Sequence, residues 1–77
     1  MPKYGITDAQ RADLTKRFTY HAPREDQPQR YNEIRSVAKT LAIAIVDETP
    51  PSREQGLALT KLEEAIFWAN ASIARNE

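Results

Sequence analysis

LAIAIVDETPPSREQ, residues 41–55, runs an apolar block into a Pro-Pro break and out into a helix-start signal. Leu41 to Val46 is apolar all round, so as a helix it has more apolar surface than one neighbouring helix covers. The β-branched Ile43, Ile45 and Val46 also fit a strand, but no second segment of the chain offers that strand a partner. The block is therefore read as helical. Pro50 and Pro51 lack backbone N–H groups and break the helix that the block belongs to. Ser52 then stands three residues before Gln55, a capping-box pattern in which each side chain satisfies the other's backbone N–H.

Outward from this break the apolar residues keep helical spacing in both directions. Downstream they fall at Leu59, Leu62, Ile66, Ala69 and Ile73; upstream, from a start near Pro28, at Tyr31, Ile34, Ala38, Leu41 and Ile45. Two long helices joined by a short Pro-Pro turn fold back as an antiparallel hairpin. A second Pro-bounded stretch, HAPREDQP (residues 21–28), separates off a short first helix. Thr7 and Gln10 form its capping box, and Leu14 and Phe18 give it a thin apolar stripe, with Phe18 read as a core residue. The expected fold is all-α: a short N-terminal helix plus a long antiparallel helical hairpin, a single domain over residues 1–77, with no repeat and no interdomain linker.

The hairpin has apolar residues to spare. Ile66, Phe67 and Trp68 are consecutive, and Gly56, Ala58, Ala65, Ala69 and Ala71 would let other helices approach closely. A chain of 77 residues with no Cys has neither the core size nor the cross-links that usually stabilise small domains, so assembly as a homo-oligomer is expected.

Composition narrows the function. Eleven Lys and Arg balance eleven Asp and Glu, which gives no global field for binding a DNA or RNA polymer, so any basic site is local. With one His and no Cys, metal sites and thiol nucleophiles lack ligands, and no cofactor is expected. No leader-like segment and no membrane-length apolar run is present, which predicts a soluble intracellular protein with no membrane partner. Catalysis is not expected either. No Ser lies in a glycine-rich elbow, His21 is the only imidazole, and the adjacent Glu63 and Glu64 diverge by about 100° on a helix. Asp47 and Glu48 sit at a helix end as solvated residues.

Anion binding is better supplied. Ser52 opens a helix whose first N–H groups are free, and Arg53 adds a bidentate donor at the same end. A phosphate held there competes with simple N-capping by Ser52 and pairing of Arg53 to a neighbouring Glu. The other candidate is the aromatic cluster Phe18, Tyr20 and His21 leading into Ala22-Pro23-Arg24, since aromatic faces near cations stack bases and clamp phosphates. Its basic partner is Arg24, Arg30, Arg35 or Lys39, of which Arg35 and Lys39 share a helix face at i,i+4.

FTYHAPREDQPQRYNEIR (residues 18–35) and PPSREQGLALTKLEEAIFWANASIARNE (residues 50–77) resemble the phage anti-CBASS sponges of cyclic oligonucleotides, whose hairpin domain also occurs in one type of anti-Thoeris sponge. The string PPSREQ-x-LALTKLEEA-x-x-WAN-x-x-IARN is the specific part; residues 36–48 agree only in pattern, and residues before Phe18 carry no signature. The resemblance implies an interlocked homohexamer that acts in the cytoplasm of the infected bacterial host. There it would sequester cyclic di- and trinucleotide messengers of antiphage defence without cleaving them. It implies a dinucleotide pocket in which Tyr20 stacks on a base and Arg35 meets a phosphate, with Lys39 and His21 as further contacts. It implies a trinucleotide pocket in which Arg53 grips phosphates, helped by Ser52, Thr60 and Asn70. Arg35 stands where relatives have Lys, and Gly56 where the motif often has Ser, which removes any hydroxyl contact there. The competing reading is a structural or adaptor hairpin that binds another protein through the LAIAIV and Ile66 to Trp68 surfaces.

Overall fold

The structure, a computed structural model, describes residues 3–77. Three helices account for its regular structure: α1 (Asp8–Arg17), α2 (Gln27–Glu48) and α3 (Arg53–Asn76), with no strand among the described residues.

Helix α1 begins as its sequence requires. The Thr7 hydroxyl accepts the Gln10 N–H at 3.0 Å and the Gln10 side chain accepts the Thr7 N–H at 2.9 Å. Asp8 in the first turn and Lys16 and Arg17 in the last complement the helix dipole. None of its residues is buried, and Phe18, expected in the core, is the helix C-cap and 79% exposed. The reason lies in how α1 attaches. Lys16 Nζ donates to Asn76 Oδ1 at 3.0 Å, a polar tie that brings no apolar surface over the Leu14–Phe18 stripe.

Helices α2 and α3 pack against each other. Arg30, in the first turn of α2, pairs with Glu77 just past α3, while Gln55, in the first turn of α3, bonds Thr49 just past α2. The half-buried seam consists of Tyr31, Ile34, Ala38, Ala42 and Ile45 on α2 and Leu59, Leu62, Ile66 and Ala69 on α3. Among the described residues, Ile73 is the apolar one that is buried. Leu41, expected on the seam, is 50% exposed, and Ala42 takes its place. Measured from Ala38, Leu41 lies about 60° off the face and Ala42 about 40°, so a four-residue step tracks the seam better than a three-residue one.

The capping box at α3 is half formed. Ser52 Oγ accepts the Gln55 N–H at 3.1 Å, but Gln55 Nε2 turns away from the Ser52 backbone and donates to the carbonyl oxygen and Oγ1 of Thr49, both at 3.0 Å. Thr49 ends α2 in an extended conformation, which presents both oxygens to Gln55. Gln55 therefore staples the two helix ends together. Gly56 makes no close approach within the chain: a Cβ built there meets nothing within 4 Å.

The Cα atoms span 54 × 36 × 14 Å, and α1 packs extensively against neither long helix, so α2 and α3 have only each other. Each long helix therefore has a packing partner on one side only. Val37, Leu41, Ile43, Val46, Phe67 and Trp68 accordingly stay between 50% and 71% exposed. The chain's accessible surface is 6508 Å², against about 4,800 Å² for a compact chain of 8.8 kDa. No helix is long and apolar enough to cross a membrane.

Two measurements check these ties. Gln55→Ala removes both bonds to Thr49 and lowers stability in denaturant titration by about 1–2 kcal/mol, more than an exposed helix Gln otherwise contributes. The Glu77 carboxyl is held down to about 2, from 4.5, first by its hydrogen bond from Arg30 and then by that from Gln27. A lowered carboxyl stabilises the folded state above pH 4.5 and loses that contribution as pH falls towards 2. Melting temperature followed from about pH 6 down to about pH 2 falls across that window, and the fall is shallower in Glu77→Gln.

Candidate ligand-binding site

A groove between α2 and α3, of about 460 Å³, brings three of the candidate residues together. Arg35 and Lys39 line it from successive turns of α2, and Thr60 faces them from α3 beside Glu63 and Phe67. Its floor is apolar, from Ala38, Ala42, Leu59, Leu62 and Ile66, and the two alanines open the space between the helices. Arg35 Nη1 donates to Asn32 Oδ1 at 3.2 Å, a neutral partner that leaves the guanidinium charge unbalanced. Among the described residues neither Arg35 nor Lys39 forms an ion pair. Two cations against one carboxylate on an apolar floor suit an anion that also carries a flat apolar body.

Thr60 was grouped with Arg53 from sequence, yet it lines the groove with Arg35 and Lys39. Phe67 was read only as spare apolar surface and is a wall of the same groove, 62% exposed. The spacing held the signal: Thr60, Glu63 and Phe67 follow at three and four residues and so share a face of α3.

Tyr20 does not line this groove; it sits on the loop between α1 and α2, 84% exposed. His21 is half-buried, its Nε2 2.8 Å from the Lys16 carbonyl oxygen, so that nitrogen carries a proton and donates. His21, Arg24, Gln27 and Glu77 line a separate cavity of about 330 Å³. Arg35 lies eight residues beyond Gln27, about 12 Å along α2. Within one chain, Tyr20 and His21 on one side and Arg35 and Lys39 on the other lie in separate places.

Arg53 is the first residue of α3, exposed, and has no ion pair or side-chain hydrogen bond among the described residues, so the pairing with a neighbouring Glu is absent. The Ser52 hydroxyl is committed twice, accepting from the Gln55 N–H and donating to the Pro50 carbonyl at 3.1 Å. An anion at this end would meet the backbone N–H groups of Arg53 and Glu54 and the Arg53 side chain. Asn70 is half-buried, and its Oδ1 is buried without a hydrogen-bond partner. It lies seventeen residues from Arg53, about 25 Å along α3, so no single small ligand spans both residues of one chain.

Arg30 is removed from the list of phosphate contacts. Its guanidinium is bound to Asp26 at 3.3 Å and to both oxygens of Glu77, which raise its pKa further. Gln27, the most deeply buried polar residue at 4% exposed, was not singled out from sequence. It continues the seam one turn before Tyr31, an i,i+4 relation that was legible, but its polarity hid it.

These features define a small all-helical protein with cationic side chains on a groove, an exposed aromatic ring on a loop and apolar faces left uncovered. Residues 10–74 match the family model described as Acb2/Tad1, hairpin domain, and the chain belongs to that family, the cyclic-oligonucleotide sponges of anti-CBASS and anti-Thoeris type. The match begins inside α1, ahead of the signature that starts at Phe18. No curated protein and no solved structure matches the chain.

Proposed function

We propose that this chain sequesters cyclic di- and trinucleotide messengers of bacterial antiphage defence, without cleaving them, in the cytoplasm of the infected host. The active form in this reading is a homohexamer of helical hairpins. The observation that carries it is the pair Arg35 and Lys39, unpaired on an apolar groove, in a chain of the sponge family.

A cyclic dinucleotide presents two phosphodiester monoanions and two flat bases. Arg35 and Lys39, one helical turn apart, meet the phosphates, and the apolar floor takes the ribose and base edges. Tyr20 supplies the stacking face. Because Tyr20 and the groove are separate within a chain, the Tyr20 that stacks over a given groove comes from a neighbouring copy. The uncovered apolar faces of α2 and α3 support that assembly.

The trinucleotide site follows a similar logic at the start of α3. Arg53 residues of several copies converge around a symmetry axis, where they repel one another until an anion with several phosphates lies between them. Asn70, too far from Arg53 of its own chain, joins only through another copy. Nothing in this chemistry requires a nucleophile or a general base, since binding alone withdraws the messenger from its effector.

The alternative is an adaptor that uses Val37, Ile43, Val46, Phe67 and Trp68 to hold another protein, which their exposure would also serve. Calorimetric titration with cyclic di- and trinucleotides separates the two, because an adaptor gives no heat with either. A sponge binds, and the ligand is recovered from the denatured complex at its original mass. Tyr20→Ala weakens dinucleotide binding roughly ten- to a hundredfold, and Tyr20→Phe far less, since the ring carries the stack. Arg53→Ala weakens trinucleotide binding by about 1.5–3 kcal/mol per charged hydrogen bond lost and leaves dinucleotide binding nearly unchanged. Unaltered affinities in both variants would remove these residues from the sites.

A further inference from the structure

The loop that carries Tyr20 is tied down at both ends by polar side chains. At its far end Gln27 uses both ends of its amide: Oε1 accepts the Arg24 N–H at 3.0 Å, and Nε2 donates to Glu77 Oε1 at 3.1 Å. The Gln27 N–H donates to the Arg24 carbonyl at 2.9 Å, which closes the turn. Inside that turn Glu25 has φ of 52°, the left-handed region that residues with a side chain avoid, so the turn depends on the bonds around it. Glu77 is fixed in turn by Arg30, which also reaches Asp26 at 3.3 Å. At the near end His21 donates to the Lys16 carbonyl, and Lys16 donates to Asn76. Tyr20 stands between these anchors with its ring 84% exposed.

A buried amide at the start of a helix is costly unless its oxygen and nitrogen find partners, and here both do. At 4% exposed, Gln27 would cost stability if either partner were lost, and an apolar residue would fill the same position on the seam. What the amide adds over an apolar side chain is a hold on the loop backbone. An exposed ring on a fixed backbone loses less conformational freedom when it stacks on a ligand than a ring on a free loop.

We infer that Gln27 and Glu77 form a latch that positions the Tyr20 loop for its ligand, Gln27 holding the Arg24 backbone and Glu77 holding Gln27. This rests on the reading that Tyr20 stacks on a cyclic dinucleotide. Gln27 and Glu77 are positioning residues and touch no ligand.

The test uses the full chain, with cyclic di-AMP as the probe in calorimetry and amide hydrogen exchange as the second readout. Gln27→Leu weakens cyclic di-AMP binding about tenfold and speeds exchange at the Arg24 amide, while amides along α2 and α3 stay protected. Glu77→Gln, at a side chain 37% exposed, repeats the test without altering a buried group and gives a smaller change in the same direction. The reciprocal double variant, Gln27→Glu with Glu77→Gln, restores one acceptor for Arg24 and one donor across the pair, and it recovers affinity relative to Gln27→Leu. If Gln27→Leu and Glu77→Gln leave affinity unchanged while Tyr20→Ala abolishes it, the latch is wrong and the Tyr20 site stands. If exchange rises uniformly through α2 and α3, Gln27 acts on the fold and the latch is equally overturned. If Tyr20→Ala leaves affinity intact, the site reading fails and takes the latch with it.

Discussion

Two helices lying side by side share one face each, and that limit governs this chain. The Pro50-Pro51 break sends α3 back along α2, the seam closes around Ile34, Ala38, Ile66 and Ile73, and the opposite face of each long helix is left without a packing partner. A third helix could have covered the second face, but α1 attaches through Lys16 and Asn76 and buries none of its own residues. The remaining apolar surface is therefore a property of the architecture rather than of a few misplaced side chains. Copies of the same chain are the natural cover, since they present the same faces at the same concentration.

The functional groups follow the same division. Arg35 and Lys39 occupy the groove beside Phe67, Arg53 stands at the start of α3 and Tyr20 on the loop, so one chain does not bring all of these residues together. That separation suits a ligand with repeated phosphates and bases, which can be held by equivalent residues from several copies. Four carboxylates are paired, Glu77 and Asp26 with Arg30, Asp13 with Arg17 and Glu64 with Lys61, while Glu63 lines the groove itself.

Much of the fold was legible because it rests on local rules. Thr7 and Gln10, the Pro28 start and the Pro-Pro break act within a few residues, and each behaves in the structure as its sequence requires. What the sequence could not supply was which of two near-equivalent positions faces a partner. Leu41 and Ala42 differ by a small rotation about the helix, and Gln55 had a choice between the Ser52 backbone and the oxygens of Thr49. Phe18 was misread because an apolar stripe on a helix does not say whether anything lies opposite. For the site, residue types and the family resemblance pointed to Tyr20, Arg35, Lys39 and Arg53. The grouping of Thr60 with Arg35 and the role of Gln27 depend on contacts between residues far apart in sequence.

The claim beneath the rest is that the uncovered faces of α2 and α3 are filled by other copies of the chain. Native mass measurement of the purified protein at micromolar concentration tests it directly. The account predicts a single closed assembly, a hexamer, with no folded monomer at the concentrations measured. A folded, soluble monomer that keeps its helices at that concentration would contradict it, because Val37, Ile43, Val46, Phe67 and Trp68 would then remain in water with the seam intact.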